Sequence, residues 1–176
     1  GFPSERVVGQ SGALDSTRFR SFISMELGVS MQDVQGLVIG GHTDVGMVPV
    51  VSNSSVAGIP ISSLMSAEQI QRLTERARKG GTEIVQLLGS DSAYYAPSAG
   101  VAQMVESILL DQKRVIPCSA YLTGQYGVND LYLGVPVVLG AKGVERIVEC
   151  ELFEDEKMQR VKDENLVREA VSLVNL

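Results

Sequence analysis

Three apolar runs decide the fold: RVIPCSAY at 114–121, LYLGVPVVL at 131–139 and VERIVECEL at 144–152. They are short, rich in β-branched residues and separated by turns containing Gly, Asn and Asp, which is the pattern of strands. The second and third are joined by Gly140-Ala141-Lys142-Gly143, a sequence suited to a hairpin turn. Strands that follow one another without an intervening helix point to an antiparallel sheet.

Outward from this block the pattern turns helical. Downstream, a helix is expected from about Asp155 to Leu173. Upstream, Val101, Met104, Val105, Ile108 and Leu109 give a helix from Pro97 to Leu110. Ser66 followed by Gln69 reads as a capping box, opening a long amphipathic helix with Ile70, Leu73, Ala77, Ile84, Leu87 and Leu88 on its apolar face. The Gly80-Gly81 pair predicts a kink in it. Further back, Leu37–Ile39 and Met47–Val51 read as strands flanking the loop Gly40-Gly41-His42-Thr43-Asp44-Val45-Gly46. Phe19, Phe22, Ile23 and Leu27 mark a helix beginning near Leu14 and stopping at Gly28. The expected fold class is therefore α+β, an antiparallel sheet with packed helices, in a single domain spanning residues 1–176.

Composition narrows the function classes. Hydrophobic residues make up 44% and charged residues 20% of the chain, as in folded globular proteins. A net charge of −6 argues against nucleic acid as a partner, because binding phosphates requires clustered Lys and Arg. No apolar run approaches the roughly 20 residues of a membrane span, and no signal-like segment opens the sequence, so a cytoplasmic location away from membranes is expected. Cys118 and Cys150 lie in strand-like apolar runs, which suits free, packed thiols. With one histidine and no Cys/His cluster, no metal is expected.

That histidine, His42, is the side chain whose ordinary pKa suits proton transfer near neutrality. Glycines on both sides would let the backbone approach a ligand closely. Asp15 and Arg18, three apart near a helix start, can share one face. Two readings fit that pair. The aspartate can orient an imidazole while the arginine grips a carboxylate with its planar fork, or the two can be a helix cap and a surface ion pair.

Taken together, Leu14-Asp15-Ser16-Thr17-Arg18-Phe19-Arg20 and Gly40-Gly41-His42-Thr43-Asp44 resemble the signature of the lactate/malate dehydrogenase family, an L-D-x-x-R-x-R helix start followed by a G-x-H-G-D loop. The histidine falls 27 positions after the aspartate, as in that family. The likeness continues through Val56-Ala57-Gly58-Ile59-Pro60-Ile61, Arg78-Lys79-Gly80-Gly81, Ser92-Ala93-Tyr94-Tyr95-Ala96-Pro97, Lys113-Arg114-Val115-Ile116-Pro117-Cys118 and Gly134-Val135-Pro136. It is closest in character to bacterial malate dehydrogenases of the lactate dehydrogenase-like branch.

The resemblance implies that Asp15 orients His42, that His42 exchanges the proton of the substrate hydroxyl, and that Arg18 binds the substrate carboxylate. Ala93 would line the pocket, and its small side chain suits a dicarboxylate. NAD is the implied cofactor, with the tricarboxylic acid cycle as context and a homo-oligomer, tetramer or dimer, as the assembly. No G-x-G-x-x-G occurs in the sequence, so the dinucleotide-binding N-terminal half of the family is expected to lie outside this chain. Lactate dehydrogenase and a non-catalytic assembly domain are the alternatives. One departure stands out: Thr43 occupies a position where the family has glycine, and the loop carries one extra residue. A threonine would be strained there if the backbone needed a positive φ.

Overall fold

In the computed structural model, which describes residues 1–174, the three runs form one antiparallel sheet. Its strands are β4 (Arg114–Thr123), β5 (Asn129–Gly140) and β6 (Gly143–Ile147). The register pairs Ile116 with Val137, Cys118 with Val135, Ala120 with Leu133 and Leu122 with Leu131. Every one of these side chains is buried in a single cluster, so period-two alternation directs one face of both strands into the core. Each aliphatic side chain buried this way contributes about 1.5–3 kcal/mol.

The third strand is shorter than its apolar run. Pairing to β5 ends near Val148, whose N–H donates to Pro136 O, and beyond it the Tyr126 hydroxyl takes over. That hydroxyl donates to Val148 O and accepts from Cys150 N–H, both at 3.0 Å, drawing the chain out of the ladder. Both cysteines are free, and burial pushes the Cys118 thiol up to about 12.

A second antiparallel sheet holds β1 (Val34–Gly40), β2 (Met47–Val56) and the two-residue β3 (Ile59–Pro60). The expected single sheet is thus two. They meet where β1 ends: a Cβ on Gly134 of β5 would collide with the Gly40 carbonyl, so only glycine permits this approach.

Helix α1 (Ser11–Leu27) joins the two halves of the core. Ala13 packs in the β4–β5 cluster, whereas Phe19 and Ile23, fully buried, pack with Val34 and Val38 of β1. Ser16 Oγ accepts from the Val38 N–H at 2.8 Å, fixing the helix against the strand. A short helix α2 (Ile61–Leu64) precedes α3 (Ala67–Leu88), which begins at the expected Ser66–Gln69 capping box. Helix α3 continues through Gly80-Gly81 without a break in its helical backbone. Helix α4 (Tyr95–Leu109) is anchored to β5 by Ser107 Oγ, which donates to Leu139 O at 2.7 Å. Helix α5 (Glu154–Ser172) closes the described chain, with the buried Glu156 accepting from Phe153 N–H, Ser52 N–H and Ser52 Oγ.

Candidate active site

Asp15 lies in the second turn of α1, not at its start, so it is no helix cap. It points inward and is 3% exposed. The loop between β1 and β2 brings His42 to it: Nδ1 lies 2.7 Å from Asp15 Oδ2. A carboxylate only accepts, so Nδ1 carries the proton in the neutral ring and Nε2 keeps its lone pair. The imidazole is 44% exposed and therefore reachable from one side.

Arg18 follows one turn later on the same face, with Nη1 3.5 Å from Asp15 Oδ1. Its side chain is only 10% exposed, and Nε and Nη1 are buried without hydrogen-bond partners. Gly80 and Gly81 explain how the guanidinium fits. A Cβ on Gly80 would sit 3.3 Å from Arg18 Cδ, so the glycines make α3 a smooth wall for the arginine rather than a hinge. Nε and Nη1 are thus enclosed between α1 and α3, and Nη2, which is not among the enclosed unpartnered atoms, is the end of the fork left for an anion.

The hydrogen bond to Asp15 raises the pKa of His42 above its ordinary 6.5, with burial and Arg18 opposing and Asp44 assisting. The bonded imidazolium therefore stabilises the folded chain fully below about pH 6.5, and that contribution fades as the pH rises through the folded-state value. In an Asp15→Asn variant the burial and Arg18 effects dominate, so the His42 pKa should drop below 6.5. NMR titration of the one imidazole ring in this sequence measures it directly.

Thr43 is not strained, since among the described residues positive φ outside glycine is confined to Ala57, Asp111, Lys113, Tyr126 and Asp130. Instead it organises the longer loop. Gly46 N–H lies 2.8 Å from Thr43 Oγ1, and Met47 N–H donates to Thr43 O at 3.0 Å. Helix α3 braces the loop from one side, Thr82 Oγ1 donating to Asp44 Oδ2 at 3.1 Å and Arg78 Nε to Met47 O at 3.2 Å.

A family model described as the lactate/malate dehydrogenase alpha/beta C-terminal domain matches residues 12–169. The chain belongs to the lactate/malate dehydrogenase family. Among its relatives, a malate dehydrogenase of Bacillus cytotoxicus is 53% identical over 99% of this chain and 56% of that protein. One from Chloroherpeton thalassium is 54% identical over the same shares. The solved malate dehydrogenase of Salinibacter ruber superposes with a TM-score of 0.94 at 49% identity, covering 98% of this chain and 56% of that one. A lactate dehydrogenase of Cryptosporidium parvum, solved with lactic acid and nicotinamide adenine dinucleotide, gives 0.95 at 40% identity, with the same coverage of each chain. The chain thus spans little more than half the length of these relatives.

Within this family domain, Asp15, Arg18 and His42 come together as expected. Ala93 lies half-buried in the connection from α3 to α4. Sequence reasoning missed Asp163, a buried acid of α5 whose Oδ2 accepts from Gly41 N–H at 2.8 Å. Among the described residues no cluster of metal-binding side chains occurs, and no helix is long and apolar enough to cross a membrane.

Proposed function

We propose that this chain is the substrate-binding, proton-transferring half of an NAD-dependent malate dehydrogenase, which interconverts (S)-malate and oxaloacetate. The observation that carries the reading is the joined set of Asp15, His42 and Arg18, with His42 Nδ1 on Asp15 and the Arg18 guanidinium beside the same carboxylate. Arg18 takes the C1 carboxylate in a bidentate pair, which fixes the C2 hydroxyl relative to the loop. Nε2 of neutral His42 accepts the hydroxyl proton during oxidation, and Asp15 stabilises the imidazolium that results. In reduction the same ring returns the proton. Ala93 lines the pocket and leaves room for the second carboxylate.

The nicotinamide, when bound, supplies the acceptor for hydride from C2. The start of α1 offers its phosphates no cradle. The glycines flanking the start of α1 are both packed against β4, Gly9 pairing with Ser119 and Gly12 lying against the Pro117 carbonyl. The reading therefore places the dinucleotide mainly on a half outside this chain, as the partial coverage of the relatives supports. Exposed apolar side chains on α3 and α4, among them Leu87, Tyr95 and Leu109, support burial against that half or against further copies in a homo-oligomer. The cytoplasm and the tricarboxylic acid cycle are the setting that fits this activity. Malate is favoured over lactate by the names of the relatives at 53–54% identity.

Titrating the purified chain with NADH tests the division of labour. Alone it should show no saturable binding and no oxaloacetate reduction, and adding the separately made dinucleotide-binding half should restore reduction. Micromolar binding by the chain alone would overturn the placement of the cofactor, and a preference for pyruvate over oxaloacetate in the restored enzyme would turn the reading to lactate dehydrogenase.

A further inference from the structure

Asp163 is 1% exposed, on the side of α5 that meets the histidine loop. Its carboxylate occupies a hollow walled by glycine backbone. A Cβ on Gly40 would stand 2.8 Å from Oδ2, one on Gly41 would stand 2.7 Å from Oδ1, and one on Gly46 would collide with the carboxylate. The three glycines that looked like room for a ligand are therefore room for this side chain. Nearby, the Gln159 side chain donates to Val45 O, so α5 grips the loop at a second point. The turn centred on Thr43 fixes the later half of the loop, but the Gly41 N–H, immediately before the histidine, is held by Asp163.

We propose that Asp163 is a positioning residue for His42: seated against Gly40, Gly41 and Gly46, its carboxylate fixes the backbone that keeps Nδ1 of the imidazole on Asp15. The inference rests on the reading of His42 as the proton carrier, but its first test does not. Asp163 makes no hydrogen bond to His42 and acts only through the loop. The charged group that acts on it is Arg160 on its own helix, paired with Glu164; on the loop, His42 is bonded to Asp15 and Asp44 to Thr82. Burial pushes its carboxyl up to about 6, against the pull of Gly41 N–H and Arg160. Keeping it ionised at neutral pH thus opposes folding, and this cost disappears as the pH falls below the unfolded value near 3.8. A role that requires the bond to Gly41 accounts for an acid in this place better than stability does.

The test compares Asp163→Asn, which keeps an acceptor without charge, with Asp163→Ala, which removes both. In the 176-residue chain the two ring carbon protons of His42 are the sole histidine signals, so their NMR titration reports the Asp15 contact without any assay of activity. Asp163→Ala should bring the His42 pKa down toward 6.5, and Asp163→Asn should leave it where the wild type has it. Should the alanine variant fail to fold, Gly41→Ala displaces the carboxylate without altering it and should produce the same fall. In the full-length dehydrogenase, Asp163→Ala should lower kcat by about 10–100-fold with KM for the dicarboxylate little changed, because Arg18 is not on the loop; Asp163→Asn should restore turnover. Equal His42 shifts in the Asn and Ala variants, or none in either, would overturn the positioning role. An active His42→Asn enzyme would instead defeat the catalytic reading and leave the titration result standing.

Discussion

Replacing His42 by asparagine in the full-length dehydrogenase is expected to lower turnover by about 10²–10⁴-fold, the usual contribution of a positioned general base. Asparagine approximates the size of the ring and can still donate a hydrogen bond to Asp15, so the loop need not move. It cannot accept a proton from an alcohol and release it near neutrality. The affinity for NADH should be nearly unaffected if, as proposed, the dinucleotide is held mainly on the other half. Steady-state rates of malate oxidation together with fluorescence titration of NADH separate the two effects. Turnover close to that of the parent would remove His42 from the chemistry, whatever its distance to Asp15.

Arg18→Lys is expected to act on binding rather than on the proton step. The guanidinium reaches its place along the glycine face of α3, with Nη1 3.5 Å from Asp15 Oδ1, and its planar fork is what a carboxylate would pair with. An ammonium in that slot makes a single-point contact and leaves part of the carboxylate unpaired. Losing one charge-assisted hydrogen bond, worth about 1.5–3 kcal/mol, should raise the apparent KM for malate and oxaloacetate by roughly 10–100-fold. The His42 titration should change little in the same variant, since the bond to Asp15 is the main cause of its shift. An unaltered KM and kcat would leave Arg18 as a packing residue.

Much of the fold is written locally. Ile116, Cys118, Ala120 and Leu122 alternate inward with the period of a strand, and Ser66 with Gln69 marks the start of α3 by chemistry confined to one turn. Asp15, Arg18 and His42 are legible as a set because residue types and spacing coincide with one family pattern, whereas Ala93 stands as a proposal on that same resemblance alone. What could not be read depends on distant partners. Gly80-Gly81 looks like a break until Arg18, more than sixty positions away in sequence, is seen lying against it. Asp163 sits in a polar stretch of a helix with nothing local to mark it as buried, and its partner Gly41 is 122 positions earlier. The split into two sheets, and the early end of β6 at the Tyr126 hydroxyl, are likewise decided by neighbours that periodicity does not register.

The hollow that receives the Asp163 carboxylate also limits how this part of the molecule can drift over evolutionary time. At Gly41 the obstacles to a methyl group are side-chain atoms only, Asp163 Oδ1 at 2.7 Å and Val167 Cγ2 at 3.7 Å. An alanine there therefore displaces the carboxylate unless the residue at 163 is shorter. At Gly40 and Gly46 the acid is again an obstacle, and at Gly40 the Gly46 carbonyl obstructs as well. Substitutions at these four positions are accordingly coupled: a shorter residue at 163 removes the steric obstacle to a methyl at 41, but it also removes the carboxylate that holds the Gly41 N–H, so relief of one strain costs the loop its anchor.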